Sequence, residues 1–254
     1  MKSLTTILKR KQGTGETILV PYLMAGASSL QQLPAEITAL AKGGAAAIEV
    51  GIPFSDPVAD GPVIQEAGLR ALAQQVSLAE ILEVLKNFNS PVPLILMGYF
   101  NPFYAYGLEK FVAQLADTDV KGLIIPDLPY EHRNLVTIYL DESDVALVPL
   151  VTLTSTKERI ATLVASGEGF IYAVTVNGVT GTGRNYRADL DAHLKYIHEI
   201  SEIPVLAGFG VSEKEHVERF RQSCDGVVIG SKIVRMLAEE PLSEVTHFVE
   251  KLLA

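Results

Sequence analysis

The sequence is nearly devoid of cysteine, since Cys224 is the only one among 254 residues. A single cysteine cannot form an intrachain disulfide, so nothing in the chain requires an oxidising compartment. The sequence also lacks a run of about 20 apolar residues, the length needed to cross a bilayer. The N-terminal stretch MKSLTTILKRKQGTGE carries its basic residues after a short apolar part and has no small-residue cleavage site, unlike a secretory signal. We therefore expect a soluble cytoplasmic protein.

Concentrated positive charge is also scarce. The formal net charge is -9, and the basic residues are scattered apart from the cluster Lys9-Arg10-Lys11. Nucleic acids and anionic membranes require a concentrated positive surface, so the charge pattern argues against both as partners. The cluster is interpreted as the solvated end of a first helix.

Eight short apolar segments, rich in Val, Ile and Leu, recur along the chain with helical patterns between them. Apolar character on both faces is typical of parallel strands that helices cover on both sides. The predicted strands are 18–26, 45–52, 92–99, 120–127, 145–152, 169–176, 203–210 and 225–230. The predicted helices between them are 29–44, 77–88, 107–116, 155–166, 188–200 and 213–223.

Eight such units fit the size of one (β/α)8 barrel. We predict an α/β protein with a single (β/α)8 TIM-barrel domain over residues 1–254 and an extra N-terminal helix. The alternative is a doubly wound open sheet, which normally carries its Gly-rich phosphate loop after the first strand. Here that position reads MAGASS, whereas the glycine-rich loops follow the sixth, seventh and eighth predicted strands.

A carboxylic acid interrupts the second predicted strand, because Glu49 lies within the apolar run AAAIEVGI. Alternation along the strand would let Glu49 point into the barrel, near the strand ends where barrel enzymes carry their catalytic groups. Burial there would raise its pKa, so that one carboxyl could act as both acid and base near neutral pH. The alternative is a Glu neutralised by an internal partner, but the free energy of burying an unpaired carboxylate favours a functional role.

The following loop, FSDPVADGP, contains two further carboxylates between prolines. Proline restricts its own backbone and that of the preceding residue, so the loop is pre-organised. Asp60 is the second candidate catalytic residue, with capping of the next helix as an equal alternative. Asp56, which precedes Pro57, is interpreted as a turn residue.

Three glycine-rich stretches follow the last three predicted strands: NGVTGTGRN (177–185), GFG (208–210) and GSK (230–232). Barrels often hold a phosphate between such loops and the N-terminus of a short helix, where free backbone N–H groups and the helix dipole favour an anion. Each stretch alone would fit an ordinary turn. Their position at the same end of the barrel predicts a phosphate site.

Other candidate groups are few. Asp127, in the motif PDLP, ends the fourth predicted strand and is a reserve catalytic carboxylate. The motif DLDAH (189–193) has metal-like spacing but is interpreted as the capped start of a helix. No histidine and no lysine ends a predicted strand, which leaves little basis for a metal site or for a Schiff base.

Six motifs, in this order and on these strands, resemble the α subunit of tryptophan synthase: IEVGIPFSDPVADGPVIQEA, MGYFNP, PDLP, GVTG, GFGVS and GSKIV. The resemblance runs over nearly the whole chain, and its first motif is highly specific. It implies a (β/α)8 barrel that cleaves indole-3-glycerol phosphate to indole and glyceraldehyde 3-phosphate. It also implies a β-subunit partner that holds pyridoxal phosphate, in an α2β2 assembly, and no cofactor in this chain.

The resemblance assigns roles to individual residues. Glu49 and Asp60 match the catalytic carboxylates, with Glu49 expected to transfer protons and Asp60 to stabilise the indole N–H. The matching phosphate-binding and mobile-loop residues are Thr180, Gly181, Gly210, Gly230 and Ser231. Tyr22, Tyr172 and Asp127 fall at or beside the indole pocket, and Tyr22 stands where other members carry Phe. On the second loop, Pro53, Asp56 and Pro57 are expected to face the β subunit.

Two other readings share parts of this pattern. An isomerase acting on a phosphorylated sugar or amino sugar would share the glycine loops but would not need FSDPVADGP. A binding module that only activates a partner synthase would not need Glu49 and Asp60, and turnover without a partner separates it from an enzyme.

Overall fold

The computed structural model describes residues 1–175, 184–208 and 210–254. Nine parallel strand segments form one sheet within these residues, with the order β5-β4-β3-β2-β1-β9-β8-β7-β6. The segments are β1 (Ile18–Met24), β2 (Ile48–Gly51), β3 (Leu94–Met97), β4 (Val120–Ile124), β5 (Ala146–Leu147), β6 (Leu150–Thr152), β7 (Ile171–Val174), β8 (Val205–Gly208) and β9 (Gly226–Ile229).

Helices follow the strands and cover the outside of the sheet. They are α1 (Ser3–Gly13), α2 (Leu33–Lys42), α3 (Pro62–Ala73), α4 (Leu78–Lys86), α5 (Phe100–Tyr106), α6 (Leu108–Leu115), α7 (Asn134–Leu140), α8 (Lys157–Ala165), α9 (Arg184–Ile200), α10 (Lys214–Phe220), α11 (Ser231–Glu239) and α12 (Leu242–Leu253). Within the described ranges, no helix is long and apolar enough to cross a membrane.

The strand predicted over 145–152 is two segments, which together close the barrel. Pro149 has no N–H to donate and lies between β5, which pairs with β4, and β6, which pairs with β7. The Val148 N–H still donates to the Leu123 carbonyl of β4 at 2.9 Å, and the Pro149 carbonyl accepts from the Tyr172 N–H of β7 at 3.0 Å. The chain therefore joins β4 on one side to β7 on the other, and the predicted (β/α)8 barrel is confirmed.

Alternation along the strands divides the buried side chains into two sets. Outward-facing residues such as Ile48 and Val50 pack against the helices, while inward-facing residues such as Val20, Ile95 and Val228 fill the barrel. Removal of these side chains from water supplies the main driving force for the fold.

Helix α1, the predicted extra N-terminal helix, closes the N-terminal end of the barrel. Leu4 and Leu8 are fully buried and belong to the inner cluster. Gly122 and Gly169 make room for Leu4, because a Cβ at either position would lie 2.8 or 2.9 Å from a Leu4 methyl group. Lys9, Arg10 and Lys11 lie near the end of α1 and away from Leu4, as the sequence predicts.

Several predicted boundaries were wrong. Helix α9 begins at Arg184, so Asp189 and Asp191 lie inside it and neither caps its start. The helices α5, α7 and α12 were missed, because short or half-exposed helices have weak apolar periodicity.

Candidate active site

Glu49 is the buried carboxylic acid inside the barrel. It is only 1% exposed and sits in register with Tyr22 of β1 and Ile95 of β3. Within the described part of the chain, neither of its carboxyl oxygens has a hydrogen-bond partner. Burial, and secondarily the charge of Asp60, raise the pKa of Glu49 to about 8. The group is therefore mainly protonated at neutral pH, ready to donate its proton.

Asp60 lies on the loop between β2 and α3, close enough to Glu49 for the two carboxylates to repel. Burial raises the pKa of Asp60, and a hydrogen bond from the Tyr99 hydroxyl opposes that increase. The alternative capping role is not observed, since the N-cap residue of α3 is Gly61 and no side chain caps the helix. The two carboxyls thus differ in that Asp60 has a stabilising donor and Glu49 has none.

Tyr99 anchors the loop that carries Asp60. Its hydroxyl accepts a hydrogen bond from the Ala59 N–H at 3.0 Å, and its ring stacks on Phe54 with centroids 5.3 Å apart. Tyr99 is 3% exposed, so the anchor is set inside the protein. Tyr99 belongs to the motif MGYFNP, but its role is not visible in the sequence, because its contact with Asp60 joins two separate loops.

Two further phenols complete the interior of the site. Tyr22 and Tyr172 are buried, and burial together with the charges of Glu49 and Asp60 raises the pKa of both phenols well above the ordinary value. Both therefore remain protonated. A Cβ at Gly51 would lie 1.9 Å from the Tyr22 hydroxyl, and one at Gly208 would lie 2.1 Å from the Tyr172 ring. These glycines make room for the phenols. The sequence does not reveal this role, even for Gly208 within GFG, because no local signal marks such close approaches.

The predicted anion-binding residues lie at the ends of two neighbouring strands. Gly210 follows β8 with φ of 76°, a conformation that favours glycine. Gly230 follows β9 and is the N-cap residue of α11, which begins at Ser231 and has neither a side-chain cap nor an acidic residue in its first turn. The first N–H groups of α11 therefore lack side-chain acceptors and can bind an anion. Thr180 and Gly181 lie outside the described residues.

The remaining predicted residues occupy distinct surroundings. Asp127 is exposed and accepts a hydrogen bond from the Phe100 N–H at 2.8 Å, so it caps the start of α5. On the loop after β2, Asp56 is exposed and accepts from the Ser55 hydroxyl, Pro57 is half-buried and Pro53 is buried. Among the described residues, no group of three or more His, Cys, Asp or Glu side chains is arranged to hold a metal ion.

A parallel (β/α)8 barrel with two interacting carboxyls, one on β2 and one on the loop after β2, defines a class of enzyme that moves protons at the barrel mouth. Comparison with known proteins gives the family. The family model described as tryptophan synthase alpha chain matches residues 8–253. The chain belongs to the tryptophan synthase alpha chain family.

Relatives and solved structures agree with this assignment. The tryptophan synthase alpha chain of Listeria monocytogenes serotype 4a is 54% identical over 250 residues, covering 98% of this chain and 96% of that one. The alpha chain of Streptococcus pneumoniae serotype 19F is 54% identical over 246 residues, covering 96% and 95%. The tryptophan synthase subunit alpha structure from Campylobacter jejuni is 32% identical with a TM-score of 0.85, covering 93% and 96%. A ligand-free tryptophan synthase from M. tuberculosis is 29% identical with a TM-score of 0.90, covering 100% and 98%.

Proposed function

We propose that the chain is the α subunit of a tryptophan synthase and cleaves indole-3-glycerol phosphate to indole and glyceraldehyde 3-phosphate. Membership of the tryptophan synthase alpha chain family supports the assignment of this substrate. The observation that carries the chemistry is the buried Glu49, whose pKa is raised to about 8 beside Asp60. This retro-aldol cleavage needs one group that both gives and takes a proton near neutral pH.

Glu49 performs the proton transfers in this proposal. Its carboxyl proton moves to C3 of the indole, which places positive charge on the ring nitrogen. The resulting Glu49 carboxylate then takes the proton of the side-chain hydroxyl next to C3. That oxygen forms the aldehyde carbonyl, the bond from its carbon to C3 breaks, and the electron pair returns to the ring. Glu49 ends the cycle protonated, and the products are indole and glyceraldehyde 3-phosphate.

Asp60 stabilises the charge that develops on the indole nitrogen. Its hydrogen bond from Tyr99 favours the ionised carboxylate that this role requires. Tyr99 also fixes the loop through Ala59, so the carboxylate is oriented before substrate binds. Such preorganisation is the main source of electrostatic stabilisation in enzymes. Tyr22 and Tyr172 would line the indole pocket.

The substrate phosphate would bind at the strand ends opposite this loop. Gly210, Gly230 and Ser231 supply backbone N–H groups and the uncapped start of α11. Thr180 and Gly181 would complete the phosphate site from the loop after β7.

The partner in this proposal is a tryptophan synthase β subunit that holds pyridoxal phosphate, in an α2β2 assembly, and this chain itself needs no cofactor. The loop after β2 supports that interface, because Asp56 is exposed and the neighbouring Val58 is 78% exposed. Pro53 is buried and would shape the loop from beneath, while Asp56 and Pro57 could contact the partner.

The test is direct. Purified chain is incubated with indole-3-glycerol phosphate, without a partner, and indole and glyceraldehyde 3-phosphate are quantified by chromatography. The proposal predicts slow formation of both products in equal amounts. If no indole forms alone or with a β subunit, the proposed reaction is wrong.

A further inference from the structure

A second cavity lies outside the barrel wall, between α7 and α8. Its volume is about 580 Å³, within the 300–1,000 Å³ typical of small-molecule sites. Leu147, Pro149 and Leu150 line it from the strand side, while Thr137 of α7 and Leu163 of α8 line its flanks. Neither Glu49 nor Asp60 lines this cavity, so it is distinct from the candidate active site.

The break at Pro149 and the shortness of α7 account for the opening. The β4–β5 ladder pairs only Gly122 with Ala146 and Leu123 with Leu147, and β6 pairs with β7 instead. Helix α7 has only seven residues and leaves Leu147 and Leu150 partly exposed. Leu150 also packs against the inner cluster, so it separates the cavity from the barrel interior.

One end of the cavity presents a guanidinium that no acid neutralises. Arg133 lies with its guanidinium carbon 4.3 Å from the centre of the Tyr130 ring and forms no ion pair with any described residue. Arg159 lies 5.2 Å from the same ring but is bound by the Glu131 carboxylate. Arg133 is therefore the available cation, held in a fixed orientation by the aromatic face.

The other end presents negative charge. Asp141 follows α7 and Arg133 precedes it, so they lie ~12 Å apart along the helix at 1.5 Å per residue. Glu168 also lines the cavity and accepts a hydrogen bond from the Leu147 N–H at 3.2 Å. Lys2 is also present there, but its ammonium donates to the carbonyls of Leu140 and Ser143. A ligand with one negative charge fits this arrangement, and a polyanion does not.

We propose that this cavity binds a small carboxylic acid with an apolar body. The carboxylate would form a two-pronged pair with Arg133, a geometry that guanidinium favours. The apolar body would cover Leu147, Leu150 and Leu163. This site is additional to the proposed lyase function and does not depend on it.

The test uses 4-phenylbutanoate as probe, with 4-phenylbutanol and 4-phenylbutylamine as the neutral and cationic controls. Binding is followed by chemical-shift titration of the isotopically labelled full chain. We expect the acid to bind with Kd on the order of millimolar or tighter, and to shift the signals of Arg133, Leu147 and Leu163. Arg133→Gln should weaken binding about 10- to 100-fold, while Arg10→Gln, an exposed arginine on α1, should leave it unchanged.

A second variant makes the test independent of Arg133. Thr137→Trp places a large side chain in the cavity and should abolish binding while Arg133 remains, with folding checked by circular dichroism. The proposal is overturned if the alcohol binds as tightly as the acid, if folded Arg133→Gln or Thr137→Trp binds like wild type, or if the shifts localise to the barrel mouth. Absence of binding to wild type overturns it as well.

Discussion

At the scale of single residues, Glu49 makes stability depend on pH. Burial, and to a smaller extent the charge of Asp60, raise the pKa of Glu49 from 4.5 to about 8. The folded state therefore binds this proton more tightly than the unfolded state. The stability from this proton is fully present below the unfolded pKa and is lost as pH rises through about 8. Between pH 4.5 and about 8, we expect the free energy of unfolding of Glu49→Gln to rise relative to that of wild type, by up to about 1.4 kcal/mol per pH unit. Urea unfolding at a series of pH values measures it.

The control for this pH dependence is Glu142→Gln, at an exposed glutamate on the turn between α7 and β5. The difference in unfolding free energy between Glu142→Gln and wild type should not change with pH in the way that the difference for Glu49→Gln does. A pH-independent difference between Glu49→Gln and wild type would show that Glu49 does not carry the buried proton.

Tyr99 offers a second prediction at this scale. Tyr99→Phe keeps the stacking on Phe54 but removes the hydroxyl that donates to Asp60 and accepts from Ala59. Because hydrogen bonds to charged groups contribute about 1.5–3 kcal/mol, we expect kcat for indole formation to fall about 10- to 100-fold. Tyr104→Phe, at a tyrosine that is 63% exposed, is the matched control. Equal rates for Tyr99→Phe and wild type would remove Tyr99 from the positioning of Asp60.

The residues that the sequence could reveal are those with a local signal. Glu49 is visible as a charge in an apolar strand, and Asp60 as a carboxylate among prolines. Tyr99, Gly51 and Gly208 act through contacts with other strands and loops, and a linear pattern does not contain these distances. The roles of all these residues in catalysis stay predictions until the variants are assayed.

At the scale of elements, the N-terminus of α11 is the predicted binding site of the substrate phosphate. Ser231→Asp places a carboxylate on the first turn, where it would occupy the free N–H groups and repel the phosphate. We expect KM for indole-3-glycerol phosphate to rise on the order of 10- to 100-fold, with a smaller effect on kcat. Ser243→Asp, in the first turn of α12, adds the same charge elsewhere and should not change KM. If Ser231→Asp leaves KM unchanged, the phosphate binds elsewhere.

Strand identity was easier to predict than strand length. Each of the eight apolar runs contains a strand, but the observed strands are shorter, as β2 over Ile48–Gly51 within the predicted 45–52 illustrates. Apolar residues continue past the ladder because the loops at the barrel mouth are themselves buried, as Ile52 and Pro53 are. The break at Pro149 carried a visible signal, since proline removes a ladder donor.

At the scale of the whole molecule, we propose that residues 1–254 fold as one domain. The two ends of the chain are tied into the same barrel. Helix α1 fills its N-terminal end, and α12 packs on α2, where the Thr246 hydroxyl donates to the Ala39 carbonyl at 3.0 Å. Removing either end would expose core residues of the other elements.

Coupling to a partner is a property of the assembly. Asp56 shares the anchored loop with Asp60, so a cation of the β subunit that binds Asp56 would also change the position of Asp60. We expect Asp56→Ala to leave the slow indole formation of the isolated chain nearly intact and to lower its stimulation by a β subunit. Assays of wild type, Asp56→Ala and the exposed control Glu142→Ala, with and without that subunit, decide the point. Full stimulation of Asp56→Ala would reduce Asp56 to a turn residue.

The sequence predicts the barrel and the family from patterns that span the whole chain. The cavity beside α7 could not be predicted in the same way, because it depends on where β4 and β5 diverge and on how short α7 is. Both features arise from packing between segments, and neither leaves a periodic signal.

If the buried proton of Glu49 performs the chemistry, two matched variants will differ in their rate of indole release. Glu49→Gln and Glu36→Gln each replace a buried glutamate whose pKa is raised by burial, but Glu36 lies on α2 outside the barrel. We predict that Glu49→Gln lowers the rate of indole release from indole-3-glycerol phosphate about 100- to 10,000-fold with substrate binding retained, and that Glu36→Gln releases indole like wild type. A Glu49→Gln variant that keeps most of the wild-type rate would show that Glu49 does not transfer the proton.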